Sequence, residues 1–206
     1  MSDTKEKILK TALELFAQDG YEAVSVSAIA GKLGMTKGAL YKHYKNKRDI
    51  FDSIVNRMYQ IDAENSKRYS VPESRYDDNP NEYKNTTVKN IADFTAAQFQ
   101  FWTEDAFGAN FRKLLTLEQY RNPEMAELYV NCLTAGPISY IEDIFREIIR
   151  KKDVQSVDVE QLAAEYYAPF CLLITLYDHS ADKSKYAELL HNHIRHFFAD
   201  NPVFGA

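Results

Sequence analysis

The stretch MTKGALYKHYKNKRD, Met35 to Asp49, gathers four lysines and an arginine against one acid, beside two tyrosines, a histidine, a glycine and an alanine. Lysines neutralise phosphates, a tyrosine hydroxyl donates to a phosphate oxygen, and small residues let a backbone come close to a groove. Ala39 has the shape to touch a thymine methyl, and Lys37 or His43 carries donors for a base edge. Other residues promise less. His191 and His193 lie about 200° apart on a helix, so with His196 they cannot converge on one ion without partners from elsewhere. Glu104 and Asp105 resemble an acid/base pair, but adjacent residues at a helix end diverge. The sequence contains no nucleophile, base and orienter set, no phosphate loop and no dinucleotide glycine motif. An enzyme is therefore disfavoured, and neither cofactor nor metal is expected.

The basic stretch sits in an acidic chain. Over 206 residues the net charge is -5, made of +3 in residues 1–50 and -8 in the remainder. A basic head suits a polyanion, and an acidic body repels one. A lysine-rich run alone is commonly no more than a solvated face, so the elements that position it decide its meaning.

Those elements read as helices. Asp3-Thr4-Lys5-Glu6 has the form of a capping box, and Ile8, Ala12, Leu15 and Phe16 recur at helical spacing before Gly20, a left-handed terminator. Ser25 is placed to cap a short second helix, VSAIAGKL, which ends at Gly34, and Thr36 to cap a third two residues on. In the third helix Leu40 and Tyr44 form one face, able to pack on Phe16, Ile29 and Leu33. Gly38, Ala39, Lys42 and His43 look outward, with Lys37 and Tyr41 at the flank. Asn46, with Asp49 three residues on, opens a long fourth helix to about Asn65. Lys47 adds its charge to that helix's positive end. Two short helices joined by a tight glycine turn make a helix-turn-helix, whose second helix enters the DNA major groove.

The run TALELFAQDGYEAVSVSAIAGKLGMTKGALYKHYKNKRDI resembles the N-terminal DNA-binding domain of the TetR family of bacterial transcriptional regulators, in order and spacing and without gaps. The resemblance implies DNA contacts at Ser25 and Ser27, at Thr36, Lys37, Gly38, Tyr41, Lys42, His43 and Tyr44, and at Lys47, with Ala39 beside them. It also implies a variable all-helical body whose last two helices form a homodimer. The expectation is an all-α fold of about nine helices, with a DNA-binding domain over residues 1–48 and a ligand-binding and dimerisation domain over 49–206. The corresponding function is a homodimeric, effector-responsive regulator, a repressor, that binds a palindromic operator of double-stranded DNA and is released by a small molecule. The rival reading is a small-molecule-binding helical protein whose N-terminal module docks a protein partner.

The body is less specific. Lys67 to Thr86 holds two prolines and few aliphatic residues and reads as a loop. Helical spacing returns from Val88 and continues, with Pro123 as a helix start and Gly136-Pro137 as a break, to Arg150-Lys151-Lys152. Two final helices span Asp158 to Asp178, with a kink expected at Pro169, and Lys183 to Ala199. With 12 Phe and 14 Tyr the chain is rich in aromatic residues. Phe99, Trp102, Phe107, Phe111, Tyr120 and Tyr140 are candidates to line a cavity for a largely apolar or aromatic effector. Tyr166, Phe170, Leu173, Tyr177, Leu190, Ile194 and Phe197 are candidates for the dimer contact. Cys132 and Cys171, in apolar helical patterns, read as buried structural thiols. Apolar stretches fall short of the roughly 20 residues that span a bilayer, and MSDTKEKILK has no apolar signal core, so no membrane partner and a cytoplasmic location are expected.

Overall fold

The computed structural model describes residues 3–152 and 157–204. Among these residues there are eleven helical segments and no strand: α1 (Asp3–Asp19), α2 (Val26–Lys32), α3 (Lys37–Leu40), α4 (Lys47–Tyr69), α5 (Pro80–Tyr83), α6 (Val88–Thr103), α7 (Ala106–Glu118), α8 (Pro123–Leu133), α9 (Ala135–Arg150), α10 (Val159–His179) and α11 (Ser184–Asp200). The chain divides into two compact units, residues 1–62 with 105–129, and residues 63–104 with 130–206. The division does not fall at residue 48, because α7 packs on α1 and so joins the first unit.

In the first unit, Ile8, Leu9, Ala12, Leu13 and Phe16 form the buried stripe of α1, at the i, i+3, i+4 spacing of one helix face. Asp3 does not cap this helix. It is itself helical, and its carboxylate accepts from Lys7 Nζ at 2.7 Å. Gly20, at φ +85°, ends α1 with its N–H on Phe16 O at 3.0 Å, a conformation that suits glycine because a Cβ would crowd the backbone. Phe107, Phe111, Leu114 and Leu115 form the buried side of α7. Asp105 caps α7, accepting from the N–H groups of Phe107 and Gly108 at 2.9 and 3.0 Å. The apparent carboxylate pair is thereby accounted for, since neighbouring Glu104 accepts from the Tyr177 hydroxyl at 3.3 Å.

The second unit is built on α6, α9, α10 and α11. Phe145, Tyr166, Phe197 and Phe204 stack at 4.8 to 6.0 Å between centroids, the offset and edge-on distances that aromatic rings prefer. The Tyr166 hydroxyl donates to Thr95 Oγ1 at 2.9 Å, so this buried phenol is satisfied. The stretch Lys67 to Thr86 is more ordered than its composition predicts. α4 runs on to Tyr69, and Tyr83 is buried with its hydroxyl on Ser74 O at 2.9 Å. Glu82 accepts from the N–H groups of Glu73 and Ser74 at 3.0 Å each, hydrogen bonds that hold its carboxyl below the usual range. Tyrosine serves here as core and polar anchor together, which an aliphatic count does not register.

The break between α8 and α9 falls at Thr134, two residues before the expected Gly136-Pro137. A Cβ on Gly136 would lie 2.0 Å from Asn131 O. That oxygen is backbone and cannot swing away, so Gly136→Ala is expected to destabilise the protein by at least about 1–3 kcal/mol, as overpacking does. Thermal unfolding should register the change as a fall in Tm of several degrees, roughly 2–4 °C per kcal/mol for a chain of this size. An unchanged Tm would mean that the two helices separate freely at this point.

Candidate nucleic-acid interface

Local chemistry sets the spacing of α2 and α3. Ser25 Oγ accepts from Ala28 N at 3.1 Å, and Thr36 Oγ1 from Ala39 N at 3.1 Å, each satisfying an N–H that a helix start leaves open. Between them Gly34, at φ +65°, turns the chain so that Met35 N reaches back to Ala30 O at 3.0 Å. Beyond Leu40 the helix tightens, with His43 N on Leu40 O at 2.9 Å.

Leu40 and Tyr44, four residues apart, are both buried. The Tyr44 hydroxyl donates to Lys5 O at 3.1 Å and its ring lies 5.0 Å beneath Lys5 Nζ, so the end of α3 is pinned to α1. Burial, then the charges of Glu6 and Asp49, pushes the Tyr44 hydroxyl up to about 12. Tyr44 is accordingly corrected from a DNA contact to a core anchor. The inward face expected of it is the one it takes, and that face is closed to a partner.

The opposite side is open. Ser25, Ser27, Thr36, Lys37, Gly38, Tyr41 and Lys42 are exposed, with Ala39 and His43 half-exposed. Lys37 Nζ lies 5.7 Å from the Tyr41 ring centroid, within cation–π range. A Cβ built on Gly38 would meet nothing nearer than Thr36 Oγ1 at 4.0 Å. Nothing within the protein requires a glycine there, and the space above its backbone is available to a partner.

Lys47 differs from its expected role. Its ammonium donates to Tyr21 O at 2.8 Å and Glu22 O at 3.4 Å, and lies 4.3 Å from the Tyr21 ring centroid. The turn after α1 leaves those carbonyls without helical partners, and Lys47 supplies the donors. Its charge sits at the head of α4, but its hydrogen bonds serve the fold. The start of α4 is otherwise fixed by Asn46 Oδ1, which accepts from Asp49 N at 2.8 Å, and by Asp49 Oδ2, which accepts from Lys45 N at 2.8 Å.

The remaining candidates are dispersed. Phe99, Trp102 and Tyr140 belong to the second unit, whereas Phe107, Phe111 and Tyr120 belong to the first. Tyr120 is 91% exposed, because α7 stops at Glu118 and leaves it on the turn beyond. Of the dimer candidates, Tyr166, Phe170, Leu173, Tyr177, Leu190 and Ile194 are buried within the chain itself, and Phe197 is half-buried against Phe145. The apolar residues that face outward on these helices are Leu172 at 59%, Leu176 at 40% and Leu189 at 43% exposure. Helical spacing identifies an apolar face and assigns it outward; the stripe offset by one residue is the one left uncovered. His193 Nε2 lies 2.9 Å from Tyr166 O and His196 pairs with Asp200, and no group of three metal-binding side chains occurs among the described residues. Cys132 and Cys171 are half-buried rather than buried, with the Cys171 thiol pushed up by burial. Among the described residues no helix is long and apolar enough to cross a membrane.

Comparison with known proteins meets this geometry. Residues 8–54 match the family described as bacterial regulatory proteins, tetR family. The chain is 44% identical over 52 residues to the HTH-type transcriptional regulator AcrR of Shigella flexneri, a stretch covering 25% of this chain and 24% of that protein. It is 37% identical over 62 residues to the tetracycline repressor protein class C of Escherichia coli, covering 30% and 28%. These matches span only about a quarter of the relatives' own length. Over the whole chain the fold is similar to that of SmeT, the repressor of the Stenotrophomonas maltophilia multidrug efflux pump SmeDEF, with a TM-score of 0.65 at 18% identity and coverage of 99% and 94%. The fold is likewise similar to that of a SmeT–triclosan complex, with a TM-score of 0.65 at 18% identity.

Three substitutions separate surface from anchor. Gly38→Ala is expected to leave the fold intact or to stabilise it by up to about 1 kcal/mol, while weakening DNA binding. Lys42→Ala should leave stability within about 0.5 kcal/mol and lower the slope of log affinity against log salt by about one. Tyr44→Phe should cost about 1 kcal/mol of stability and leave that slope unaltered. Salt-dependent anisotropy beside thermal melts reads all three, and a Tyr44→Phe variant with a reduced slope would reverse the assignment.

Proposed function

The chain is a member of the tetR family of bacterial regulatory proteins through residues 8–54, and on that premise we propose that it is a transcriptional repressor, active as a homodimer and released from its operator by a small molecule. The observation that carries the DNA-binding part is the split face of α3. Leu40 and Tyr44 are buried while Lys37, Gly38, Tyr41 and Lys42 stand free, with phosphate-neutralising charge beside a backbone that a groove can approach. Thr36, Lys37, Ala39 and His43 are the residues for base edges, and Ser25, Ser27, Tyr41 and Lys42 those for phosphates. Lys47 contributes through the turn it holds.

A dimer brings two copies of α3 to successive major grooves, roughly 34–36 Å apart, and matches an operator of two-fold symmetry. The outward apolar residues of α10 and α11 support this assembly. Leu172 and Leu176 stand one turn apart with Ala168 and Thr175 exposed beside them, and Leu189 stands on α11. Such a stripe is costly in water and is covered when a second copy presents the same stripe.

For the effector, the aromatic supply of the second unit suits a largely apolar molecule with few polar groups. That SmeT binds triclosan is in keeping with a small-molecule ligand here. A ligand that favours the DNA-incompetent arrangement by about 1–3 kcal/mol lowers operator affinity by about 5- to 150-fold.

The test of the assembly uses Leu172→Asp with Leu176→Asp. Sedimentation is expected to find a monomer of native helicity whose operator affinity has fallen by about 10²- to 10⁴-fold, the loss that follows when two linked sites become one. Phe170→Ala, by contrast, should cost about 3–5 kcal/mol of folding stability and leave the folded fraction dimeric. A double aspartate variant that remains dimeric would place the interface elsewhere.

A further inference from the structure

Glu118, the last residue of α7, is a buried carboxylate at 4% exposure. Its Oε1 accepts from Tyr21 N, on the turn between α1 and α2, at 2.9 Å across 97 residues of sequence. A Cβ on Gly20 would approach the same oxygen to 2.7 Å, so the glycine before Tyr21 leaves room for the carboxylate as well as turning the chain. The carbonyl of Tyr21 is held from the other side by Lys47 Nζ at 2.8 Å. The backbone of one residue is thus clamped at both of its polar groups, by α7 at its N–H and by α4 at its C=O. Its ring is fixed between Phe16 at 5.1 Å and Phe51 at 5.4 Å.

The same corner reaches α4 a second time. Glu118 O accepts from Arg121 N and Asn122 N at 2.9 Å each, turning the chain from α7 into α8. At the start of α8 Glu124 receives Arg48 in a two-pronged pair at 2.7 and 2.6 Å. Isolated exposed ion pairs contribute little, but a planar guanidinium on a carboxylate fixes direction as well as distance. Arg48 follows Lys47 directly, so the corner from Glu118 to Glu124 grips both the turn entering α2 and the first residues of α4, on either side of the helix-turn-helix in sequence.

We propose that the α7–α8 corner, through Glu118 on Tyr21 N and Glu124 on Arg48, sets the orientation of α2 and α3 for DNA, making Glu118 and Glu124 positioning residues for recognition although neither belongs to the exposed face of α3. The proposal rests on the DNA-binding reading and adds to it the corner of the first unit that holds the reading helix. A phosphate-binding face without the clamp still attracts DNA. It no longer holds α3 at the angle that a specific sequence requires.

The test compares Glu118→Gln, Glu118→Ala and Glu124→Gln in the full chain, on the selected operator and on scrambled duplex, well below the melting temperature. Glu118→Gln keeps an acceptor oxygen and is expected to behave as the parent. Glu118→Ala and Glu124→Gln are expected to lose about 2- to 30-fold of operator affinity, the range of couplings carried by residues that touch neither ligand. Affinity for scrambled DNA and the salt slope should stay constant, because no phosphate contact is removed. A purely structural role would lower Tm and leave the affinity of the folded protein unchanged. Should Glu118→Ala fail to fold, Glu124→Gln, at an exposed position, still decides, and unchanged operator affinity in it overturns the proposal. Amide hydrogen exchange on the free protein provides the independent readout. Tyr21 N–H and the amides of α2 and α3 should exchange faster in Glu118→Ala. If they do while the parent shows no preference among DNA sequences, the clamp stands and the DNA-binding reading falls; if they do not, the clamp falls by itself.

Discussion

A helix of barely more than one turn cannot hold itself together in water, since its nucleation cost exceeds what its few hydrogen bonds return. α3 is such a helix, and it exists because Leu40 and Tyr44 are buried one turn apart and the Tyr44 hydroxyl bonds Lys5 O. Once that face is fixed, the opposite one has no freedom left. Lys37, Gly38, Tyr41 and Lys42 are turned outward by geometry, and the cationic character of the segment becomes a surface rather than a tangle of side chains. The caps at Ser25 and Thr36 and the left-handed Gly34 set the spacing that lets α2 support this arrangement.

The polar interactions of the first unit divide into those that present charge and those that spend it internally. Lys42 and Lys37 keep their ammonium groups at the surface. Lys47, at the position where charge and helix terminus coincide, directs its donors to the carbonyls of Tyr21 and Glu22. A lysine count therefore overstates the phosphate-binding capacity of the segment. The same turn receives a carboxylate from α7, so an anion and a cation meet at one residue of backbone from opposite sides. The turn is held by these polar contacts as well as by the packing of the Tyr21 ring between Phe16 and Phe51, and it adds to the packing of α7 on α1 within the first unit.

What was legible in the sequence had local causes. The two caps, the glycine turns at Gly20 and Gly34 and the start of α8 at Pro123 are each fixed by residues within one turn of themselves, and the inward pair Leu40 and Tyr44 shows in its own i, i+4 spacing although its partner Lys5 lies on α1. The sequence read poorly where the deciding partner is distant. Glu118 gave no signal, since its partner Tyr21 lies 97 residues away, and an acid closing an amphipathic helix is unremarkable in itself. The sequence shows Lys47 only as a charge at a helix start, whereas its partners lie on a turn 25 and 26 residues earlier. The dimer candidates on α10 and α11 illustrate a different limit. Periodicity finds the most apolar stripe, and in a chain with a core of its own the most apolar stripe is turned inward, leaving a sparser one, Leu172, Leu176 and Leu189, at the surface. The segment from Lys67 to Thr86 escaped because tyrosines and a carboxylate acceptor organise it in place of aliphatic residues.

The most direct test of the central claim is selection of bound duplexes from a randomised DNA pool by the purified full-length chain, followed by affinity measurement on the selected and scrambled sequences. The split face of α3 predicts enrichment of a two-fold symmetric sequence whose half-sites lie about one helical turn, or a multiple of it, apart. The selected duplex should bind at least about 10³-fold more tightly than its scrambled counterpart. A pool that emerges unenriched, with equal affinity for every duplex or none even at low salt, would contradict the claim that this chain reads DNA sequence.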